Sequence, residues 1–431
     1  MHSHSIKVLI VAPNASSIFG GEAFLPLKYF QILRRQGYAV RLIAHCRNRM
    51  NLEEMFSKEK DLIYYIEDSF YHRAIWKIGR LFPPLIRSAI FDTAFNIVNE
   101  ISQSGLIKEL IGEGLVDIIH QPIPVSPKAP SSLYGFGVPV IIGPMNGGMT
   151  FPPGYEEFES RMTSRFLFLA RKVAVLVNRM VPGKQKAAAL LVANERTRAA
   201  LPVKNHPNVI KLVENGVDLS VWKSVSAKRY YRAREEFRLA FMGRLIALKA
   251  VDITLEVLRL AREKGVNVTL DILGDGEELP RLKGVAQSLG LGSSVRFLGF
   301  RSQAECVSIL DNADAFILNS LRECGGAVVL EAMSLGLPVI ASDWGGPADY
   351  IDCTCGILVS PVPRNTFAER LAEAVLKLAQ DRELCKKMGR AGSGKIHAEY
   401  DWEKKVNRMV DVYWEVLDRS SNTKLKFSGL A

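Results

Sequence analysis

Short apolar runs alternate with helical stretches along the chain. The first run is Ile6–Ala12, and a loop with Gly20-Gly21 leads from it into a helical pattern over Glu22–Arg35. A second apolar run follows at Tyr38–His45. Strand, helix and strand at this spacing are typical of the crossover unit that joins parallel strands. The pattern therefore predicts an α/β protein.

The remaining apolar runs form two series, which predict two doubly wound domains. The first series continues with Val116–His120, Val138–Gly143 and Ala189–Ala193. The second series comprises Arg238–Met242, Val268–Leu273, Val295–Leu298, Ala315–Leu318, Pro338–Ala341 and Gly356–Val359. The polar stretch Asn215–Glu236 separates the two series, and apolar residues at helical spacing over Tyr400–Leu417 predict a long final helix.

Composition excludes several classes of protein and predicts a location. The chain has 431 residues, 48% of them hydrophobic and 23% charged, which excludes disordered, collagen-like and disulfide-scaffold proteins. The six cysteines are scattered, as is typical of reduced thiols. The run Ile6–Ala12 is too short for a signal core, and no stretch approaches the roughly 18 apolar residues of a spanning helix. We expect a cytoplasmic protein.

Basic residues are concentrated in the first half. Residues 1–215 contain 26 Lys and Arg against 17 Asp and Glu, and the remainder contains 30 against 28. The segment Arg161–Lys186 has seven basic residues, no acidic one and strongly apolar residues between them. The segment Phe70–Ile90 mixes apolar and basic residues in a similar way. This mixture favours an interfacial helix on anionic lipid, at the inner face of the cytoplasmic membrane. A core helix with snorkelling arginines is the alternative.

Nucleic acid is excluded as a partner on the same evidence. The basic residues are interleaved with aliphatic side chains, whereas single-stranded nucleic acid is held by stacking aromatic side chains. The sequence also contains no recognised nucleic-acid-binding motif.

Cations follow the first strand of the second series. Gly243-Arg244-Leu245 comes directly after the strand, and Lys249 lies five positions after the arginine. Loops past the carboxyl ends of parallel strands line the ligand crevice. Two cations there favour a phosphate-bearing ligand, with ordinary solvated side chains as the alternative.

A pair of glutamates brackets a predicted helix start. Glu323 precedes Gly325 and Gly326, and Glu331 follows eight positions after Glu323. Glycines at a helix start let backbone N–H groups approach an anion. A carboxylate at this position can accept hydrogen bonds from sugar hydroxyls, and one two turns later suits a vicinal diol. A solvated Glu331 is the alternative, although its apolar neighbours make an unpaired carboxylate costly.

The order of these motifs resembles that of a known enzyme family. Gly243-Arg244-Leu245 with Lys249, and the Glu323…Glu331 pair, occur together with further motifs: Asn215-Gly216-Val217-Asp218, Gly274-Asp275-Gly276 and Pro338–Gly346. Over nearly its whole length the chain resembles glycosyltransferase family 4, the retaining nucleotide-sugar transferases of GT-B fold. Family members commonly have Gly-Phe where Cys324-Gly325 stands, and glycine where Ala250 stands.

The resemblance implies a domain organisation and a set of site residues. It implies two Rossmann-like domains facing a central cleft: an acceptor-side domain (residues 1–215, with a returning helix at 400–420) and a donor-binding domain (216–399). It implies catalytic roles for His120, Arg244, Lys249 and Glu323, and donor-binding roles for Gly20, Gly21, Arg244, Lys249, Gly325, Gly326 and Glu331. Without the resemblance, His120 would be interpreted as a structural histidine.

The resemblance also implies a reaction. A sugar would pass from a nucleotide sugar to a glycan or lipid-linked acceptor, in cell-surface polysaccharide synthesis of the bacterial type. We expect no cofactor and no metal, because the donor half contains no Asp-x-Asp placed for a metal. A nucleotide-sugar epimerase of the same fold and a non-catalytic sugar-nucleotide-binding partner are the alternatives.

Overall fold

The computed structural model describes residues 6–17, 21–83, 86–158, 174–223 and 235–428, which form two compact units. Unit 1 comprises the described residues within Met1–Gly148, Met162–Glu214 and Val406–Ala431. Unit 2 comprises those within Met149–Arg161 and Asn215–Lys405. The division after Glu214 lies beside the boundary predicted from the sequence. The sequence did not predict that residues 149–158 pack with unit 2.

Unit 1 is built on a seven-stranded parallel sheet with the order β3-β2-β1-β4-β5-β6-β7. The strands are β1 (Lys7–Val11), β2 (Ala39–His45), β3 (Ile63–Ile66), β4 (Ile118–Gln121), β5 (Val140–Met145), β6 (Ala189–Val192) and β7 (Val209–Lys211). The order reverses between β1 and β4, where crossovers leave in opposite directions. Such a switch point opens a crevice at the carboxyl ends of the strands.

Helices cover the unit 1 sheet. They are α1 (Gly21–Arg35), α2 (Arg49–Met55), α3 (Phe70–Gly79), α4 (Asp92–Gly112), α5 (Gly183–Lys186) and α6 (Glu195–Ala199). The inner strands are apolar at successive positions because both of their faces are covered. Leu9, Ile119 and Ile142, from three neighbouring strands, share one core cluster with Ile107 and Leu110 of α4.

Unit 2 repeats the architecture with a six-stranded parallel sheet in the order β10-β9-β8-β11-β12-β13. Its strands are β8 (Phe237–Met242), β9 (Val268–Leu273), β10 (Val295–Gly299), β11 (Ala315–Leu318), β12 (Val339–Ser342) and β13 (Gly356–Val359). Its helices are α7 (Val251–Glu263), α8 (Leu279–Ser288), α9 (Gln303–Asp311), α10 (Ala327–Ser334), α11 (Gly346–Tyr350), α12 (Phe367–Gln380) and α13 (Arg382–Lys395). Here the strand order reverses between β8 and β11.

The final helix, α14 (Trp402–Ser428), returns to unit 1 as predicted, since its residues from Val406 onward belong to that unit. Val406, Met409, Tyr413 and Val416 are buried at helical spacing. The helix therefore contributes one apolar face to the core of unit 1.

Each apolar run predicted as a strand is a strand, with bounds within two residues. The sequence missed β3 and β7. Both are edge strands of four and three residues, and most of their positions are partly exposed. A short edge strand lacks the sustained apolar run that reveals an inner strand.

The segment predicted to contact a membrane is only partly described. Residues 161–173 of Arg161–Lys186 lie outside the described residues. The prediction was wrong for Lys184, which is buried and donates from Nζ to the carbonyl oxygen of Pro127 at 2.6 Å. Burial lowers the pKa of Lys184 to about 7. In the part of the chain that the structure covers, no helix combines the length and apolar character that crossing a bilayer requires.

Two loops of unit 2 cross at a glycine. The backbone N–H of Gly346, after β12, donates to the carbonyl oxygen of Glu323, after β11, at 2.8 Å. A Cβ on Gly346 would lie 2.4 Å from the Cys324 carbonyl oxygen and 2.5 Å from that of Gly325. The missing side chain thus lets the two loops touch through their backbones.

Replacing Gly346 by alanine should force the loops apart. We expect Gly346→Ala to lower the free energy of unfolding by about 1–3 kcal/mol, the usual cost of overpacking, measured by urea denaturation. Gly284→Ala is the matched control, because a Cβ there meets nothing within 4 Å inside α8. It should be neutral or stabilising by up to about 1 kcal/mol. Equal stabilities for the two variants would contradict the crossing.

Candidate functional site

The predicted cationic and acidic motifs meet at the switch point of unit 2. The loops after β8 and β11 are joined by a hydrogen bond from the Leu321 N–H to the Leu248 carbonyl oxygen at 2.9 Å. The buried Asn319 side chain donates to the Ala250 carbonyl oxygen at 2.9 Å and accepts from the Thr254 hydroxyl at 2.6 Å. Open α/β sheets bind ligands at this position.

Lys249 and Glu323 form an ion pair across the two loops, between Nζ and Oε2. Each side chain is only 15% exposed. Gly326 adopts φ +70°, and a Cβ there would lie 3.1 Å from Cγ of Glu323. The glycine therefore leaves room for the carboxylate against the start of α10. A partly desolvated pair of this kind holds both groups in one orientation.

Ala250 adopts a left-handed backbone conformation, with φ 48° and ψ 43°, at the start of α7. No other non-glycine residue in the described ranges has positive φ. This conformation costs an alanine about 1–2 kcal/mol. Members of the family that the sequence resembles commonly have a glycine at this turn. Here Ala250 adopts the same left-handed turn, and the hydrogen bond from Asn319 to its carbonyl oxygen stabilises it.

Arg244 lies on the same loop and has no such partner. Its side chain is exposed, and its guanidinium forms no hydrogen bond or ion pair with any residue that the structure describes. The neighbouring loop after β9 supports this loop, because the Leu245 N–H donates to the Asp275 carbonyl oxygen at 2.9 Å. A Cβ on Gly276 would lie 2.3 Å from the Leu245 carbonyl oxygen, so Gly274-Asp275-Gly276 supports Arg244 through close backbone contact.

The amino end of α10 opens toward the Lys249–Glu323 pair. Gly325 and Gly326 precede the helix, and the backbone N–H groups of Gly326 and Ala327 have no acceptor within the described part of the chain. Unsatisfied N–H groups and the helix dipole both favour an anion at such an end. The Lys249–Glu323 pair and a helix amino end therefore lie together at the edge of the sheet, and Arg244 is carried by the same loop as Lys249.

Glu331 lies further along α10. Burial raises the pKa of Glu331 to about 7. The described residues provide its carboxylate with neither a cation nor a hydrogen-bond donor. A desolvated carboxylate without a partner is costly and ready to accept hydrogen bonds from a ligand.

The segment of residues 149–158, which the sequence prediction placed with the first domain, supports the loops of unit 2. The Trp344 indole N–H donates to the Thr150 carbonyl oxygen at 2.9 Å. The Arg322 guanidinium lies 5.4 Å from the ring centre of Phe151. The aromatic residues of this segment are the sequence signal that could have indicated its packing against another element.

The remaining predicted residues belong to unit 1. Gly20 lies outside the described residues, and Gly21 is the exposed first residue of α1. His120 is fully buried, with Nε2 2.7 Å from the Gly143 carbonyl oxygen and Nδ1 2.8 Å from the Tyr413 hydroxyl. These contacts are those of a structural histidine, the alternative that the sequence left open.

One cluster with the composition of a metal site occurs among the described residues, formed by His45, Asp68 and His72 of unit 1. Nδ1 of His45 accepts from the Arg47 backbone N–H at 3.3 Å, and Nδ1 of His72 accepts from the Ser69 backbone N–H at 3.1 Å. In a neutral imidazole the other nitrogen, Nε2, then carries the proton. Burial lowers the pKa of His45 to about 4, so its ring is neutral at physiological pH. The contacts therefore fit a hydrogen-bonded cluster better than a metal site.

Comparison with known proteins finds a family match within the second unit. Residues 226–395 match the family model of glycosyl transferases group 1. Glycogen synthase of Mycobacterium tuberculosis is 30% identical over 205 residues, which cover 47% of this chain and 48% of that protein. The chain spans about half the length of the curated relatives that it matches. The predicted resemblance to a glycosyltransferase family is confirmed at the level of this match, which lies in residues 226–395.

Solved structures share the fold over nearly the whole chain. Anabaena Alr3699/HepE, solved with UDP, superimposes with a TM-score of 0.67 at 15% identity, covering 95% of this chain and 100% of that one. The lipopolysaccharide outer core galactosyltransferase WaaB gives 0.63 at 17% identity, with coverages of 95% and 100%. The predicted GT-B fold is confirmed. The central cleft between the domains stays a prediction.

The pKa of Glu331 predicts a pH dependence of stability. The folded protein keeps this proton up to about pH 7, whereas the unfolded chain releases it near the ordinary value of 4.5. Between these pH values the folded state binds more protons, so the free energy of unfolding should fall as pH rises, by up to about 3 kcal/mol. Glu331→Gln should lack this decline. Thermal unfolding from pH 4.5 to 8 measures it, and parallel curves for the two proteins would contradict the burial of an unpaired carboxylate.

Proposed function

We propose that the protein is a retaining glycosyltransferase that moves a sugar from a nucleotide-sugar donor to a glycan or lipid-linked acceptor. The observation that carries the proposal is the arrangement at the β8–β11 switch point. There the Lys249–Glu323 pair lies at the amino end of α10, and the exposed Arg244 lies on the same loop as Lys249, in a segment that matches the family model of glycosyl transferases group 1.

The arrangement suits the departure of a nucleoside diphosphate. Breaking the bond between sugar and phosphate leaves negative charge on the leaving group, and preorganised positive charge stabilises it where it develops. Arg244 and Lys249 supply two cations, and Gly326 and Ala327 supply backbone N–H groups. This charge needs no rearrangement of the fold, because the loops are already joined by backbone hydrogen bonds.

Carboxylates on either side would hold the two sugars of the donor. Glu323 keeps one oxygen on Lys249 and has a second oxygen for hydroxyls of the transferred sugar. The carboxylate of Glu331, which lacks a described partner, would accept both hydroxyls of the ribose. Hydrogen bonds from a diol favour the ionised form, so donor binding would lower the pKa of Glu331.

Retention of configuration would follow from attack on the face that the diphosphate leaves. The acceptor oxygen bonds to the anomeric carbon as the bond from that carbon to the phosphate oxygen breaks, and the acceptor proton passes to the leaving phosphate. Glu323 is occupied by Lys249, so no enzyme nucleophile is assigned. His120 receives no role, because its ring is buried and both nitrogens have partners.

The cellular setting of the reaction is inferred from the structural neighbours. A UDP complex of one structural neighbour and the lipopolysaccharide role of another support a nucleotide-sugar donor and a place in cell-surface polysaccharide synthesis. We place the protein in the cytoplasm, peripheral to the inner face of the membrane, where a lipid-linked acceptor would be presented.

Removing a cation should slow turnover of the donor. We expect Arg244→Ala and Lys249→Ala each to reduce kcat by ten- to a thousandfold, because a charge-stabilising donor is lost. Lys283→Ala, an exposed lysine of α8 away from these loops, is the control and should keep wild-type activity. Thermal unfolding checks that Lys249→Ala, which leaves Glu323 without its cation, still folds. Unchanged kcat in Arg244→Ala would remove the role assigned to this residue.

The reaction should proceed without a divalent metal. Two side-chain cations and a helix amino end supply the charge that a metal supplies in other transferases. Transfer measured in excess EDTA, against a magnesium-supplemented control, should therefore keep its rate within about twofold. Loss of activity with EDTA and recovery with added metal would show that the prediction is wrong.

A further inference from the structure

A cavity lies within unit 1, at the switch point of its sheet. It has a volume of about 510 Å³ and is lined at its base by Pro13 and Asn14, which follow β1, and by Ile123 and Pro124, which follow β4. Strands β1 and β4 are the neighbours between which the strand order reverses. The cavity therefore occupies the ligand-binding position of a doubly wound sheet.

Three arginines line this cavity: Arg47, Arg80 and Arg87. Within the described ranges, none of their guanidinium groups is paired with a carboxylate within 4.0 Å. Two acidic residues, Glu22 and Asp92, also line it. Glu22 accepts a hydrogen bond from the Val125 backbone N–H, and burial raises the pKa of its carboxyl group. Three guanidinium groups face two carboxyl groups, so positive charge predominates, although Asp68 and Asp92 partly offset the charge of Arg47.

Aromatic side chains hold two of these guanidinium groups in place. The Arg80 guanidinium lies 4.9 Å from the ring centre of Trp76, and that of Arg47 lies 5.0 Å from the ring centre of Phe95. Phe95 in turn packs against the His45 and His72 rings of the hydrogen-bonded cluster, with ring centres at 5.5 and 4.9 Å. A stacked guanidinium keeps its N–H fork available for phosphate oxygens.

The elements that form the cavity wall also expose an unusual amount of apolar surface. Helix α3 and the residues after it carry seven large apolar side chains that are between 41% and 82% exposed: Phe70, Tyr71, Trp76, Ile78, Leu81, Phe82 and Ile90. The same stretch lines the cavity through Trp76, Gly79 and Arg80. Exposed apolar side chains concentrated in one stretch favour a binding surface, whereas singly scattered ones are ordinary.

We propose that this cavity binds the phosphate of a lipid-linked acceptor, whose hydrocarbon chain lies along the exposed apolar residues of α3 and the turn that follows. The inference rests on the proposed function and specifies its acceptor. A phosphate matches unpaired guanidinium groups, and a hydrocarbon matches the adjoining apolar surface. A neutral oligosaccharide would leave the excess positive charge of the cavity without a counter-ion.

Binding of geranyl diphosphate, a short water-soluble isoprenyl diphosphate, tests the site by isothermal titration calorimetry. The double variant Arg80→Ala/Arg87→Ala should bind it at least tenfold more weakly than the wild type. Arg73→Ala is the matched control, an exposed arginine of the same helix that does not line the cavity, and should bind within twofold of the wild type. Because the mutated side chains are exposed, the variants should retain wild-type thermal unfolding.

Two further binding measurements distinguish a lipid-linked phosphate from a free phosphate and from a membrane surface. Inorganic pyrophosphate should bind the wild type at least tenfold more weakly than geranyl diphosphate, because it lacks the hydrocarbon. Equal affinity for both would indicate a free-phosphate site and overturn the proposal. If geranyl diphosphate does not bind, the proposal is overturned. If the double variant and Arg73→Ala then weaken binding to anionic vesicles equally, the surface docks on membranes only, and this outcome also overturns the proposal.

Nucleotide binding distinguishes this inference from the function on which it rests. Lys249→Ala should lose stabilisation by UDP or GDP in thermal unfolding while keeping its affinity for geranyl diphosphate. Geranyl diphosphate binding that depends on Lys249 would place the ligand at the other site and overturn the inference. A wild type that binds geranyl diphosphate at Arg80 and Arg87 but no nucleotide would refute the proposed function and leave the cavity assignment standing.

Discussion

The second unit depends on one ion pair between two loops. The pair lies where two neighbouring strands of the parallel sheet send their crossovers in opposite directions. Lys249 follows β8 and Glu323 follows β11, and the pair is largely removed from water. Because each charge needs the other, the two loops are held together. The same contact holds the Lys249 ammonium group close to the amino end of α10, so the fold itself positions positive charge for an anion.

Close backbone contact makes this arrangement possible. Gly326 leaves room for the Glu323 side chain, Gly346 lets the β12 loop cross the β11 loop, and Gly276 lets the β9 loop support Leu245. A side chain at Gly276 or Gly346 would separate loops that hydrogen-bond through their backbones, and one at Gly326 would crowd the Glu323 side chain. Ala250 is the instructive exception, since a left-handed alanine is tolerated where a buried asparagine holds its carbonyl group.

The two units show the same topology used for different chemistry. At the β8–β11 switch point the cations lie beside carboxylates and a helix amino end, a combination that suits a diphosphate between two sugars. At the β1–β4 switch point three arginines lie beside aromatic rings and exposed apolar residues, a combination that suits an anionic amphiphile. Fold alone therefore does not define the ligand, and the side chains that follow the strands do.

The sequence alone determined the α/β class, the inner strands and the motifs after β8 and β11, because buried parallel strands are rich in apolar residues and glycine-containing loops follow them. Only the tertiary structure decided the partners of these motifs. It paired Lys249 with Glu323, buried His120 and Lys184 among protein hydrogen-bond partners, and assigned residues 149–158 to unit 2. A linear pattern records which side chains are apolar or charged. Whether a charged side chain meets a counter-ion, a carbonyl group or water depends on residues distant in the chain, and only folding brings these together.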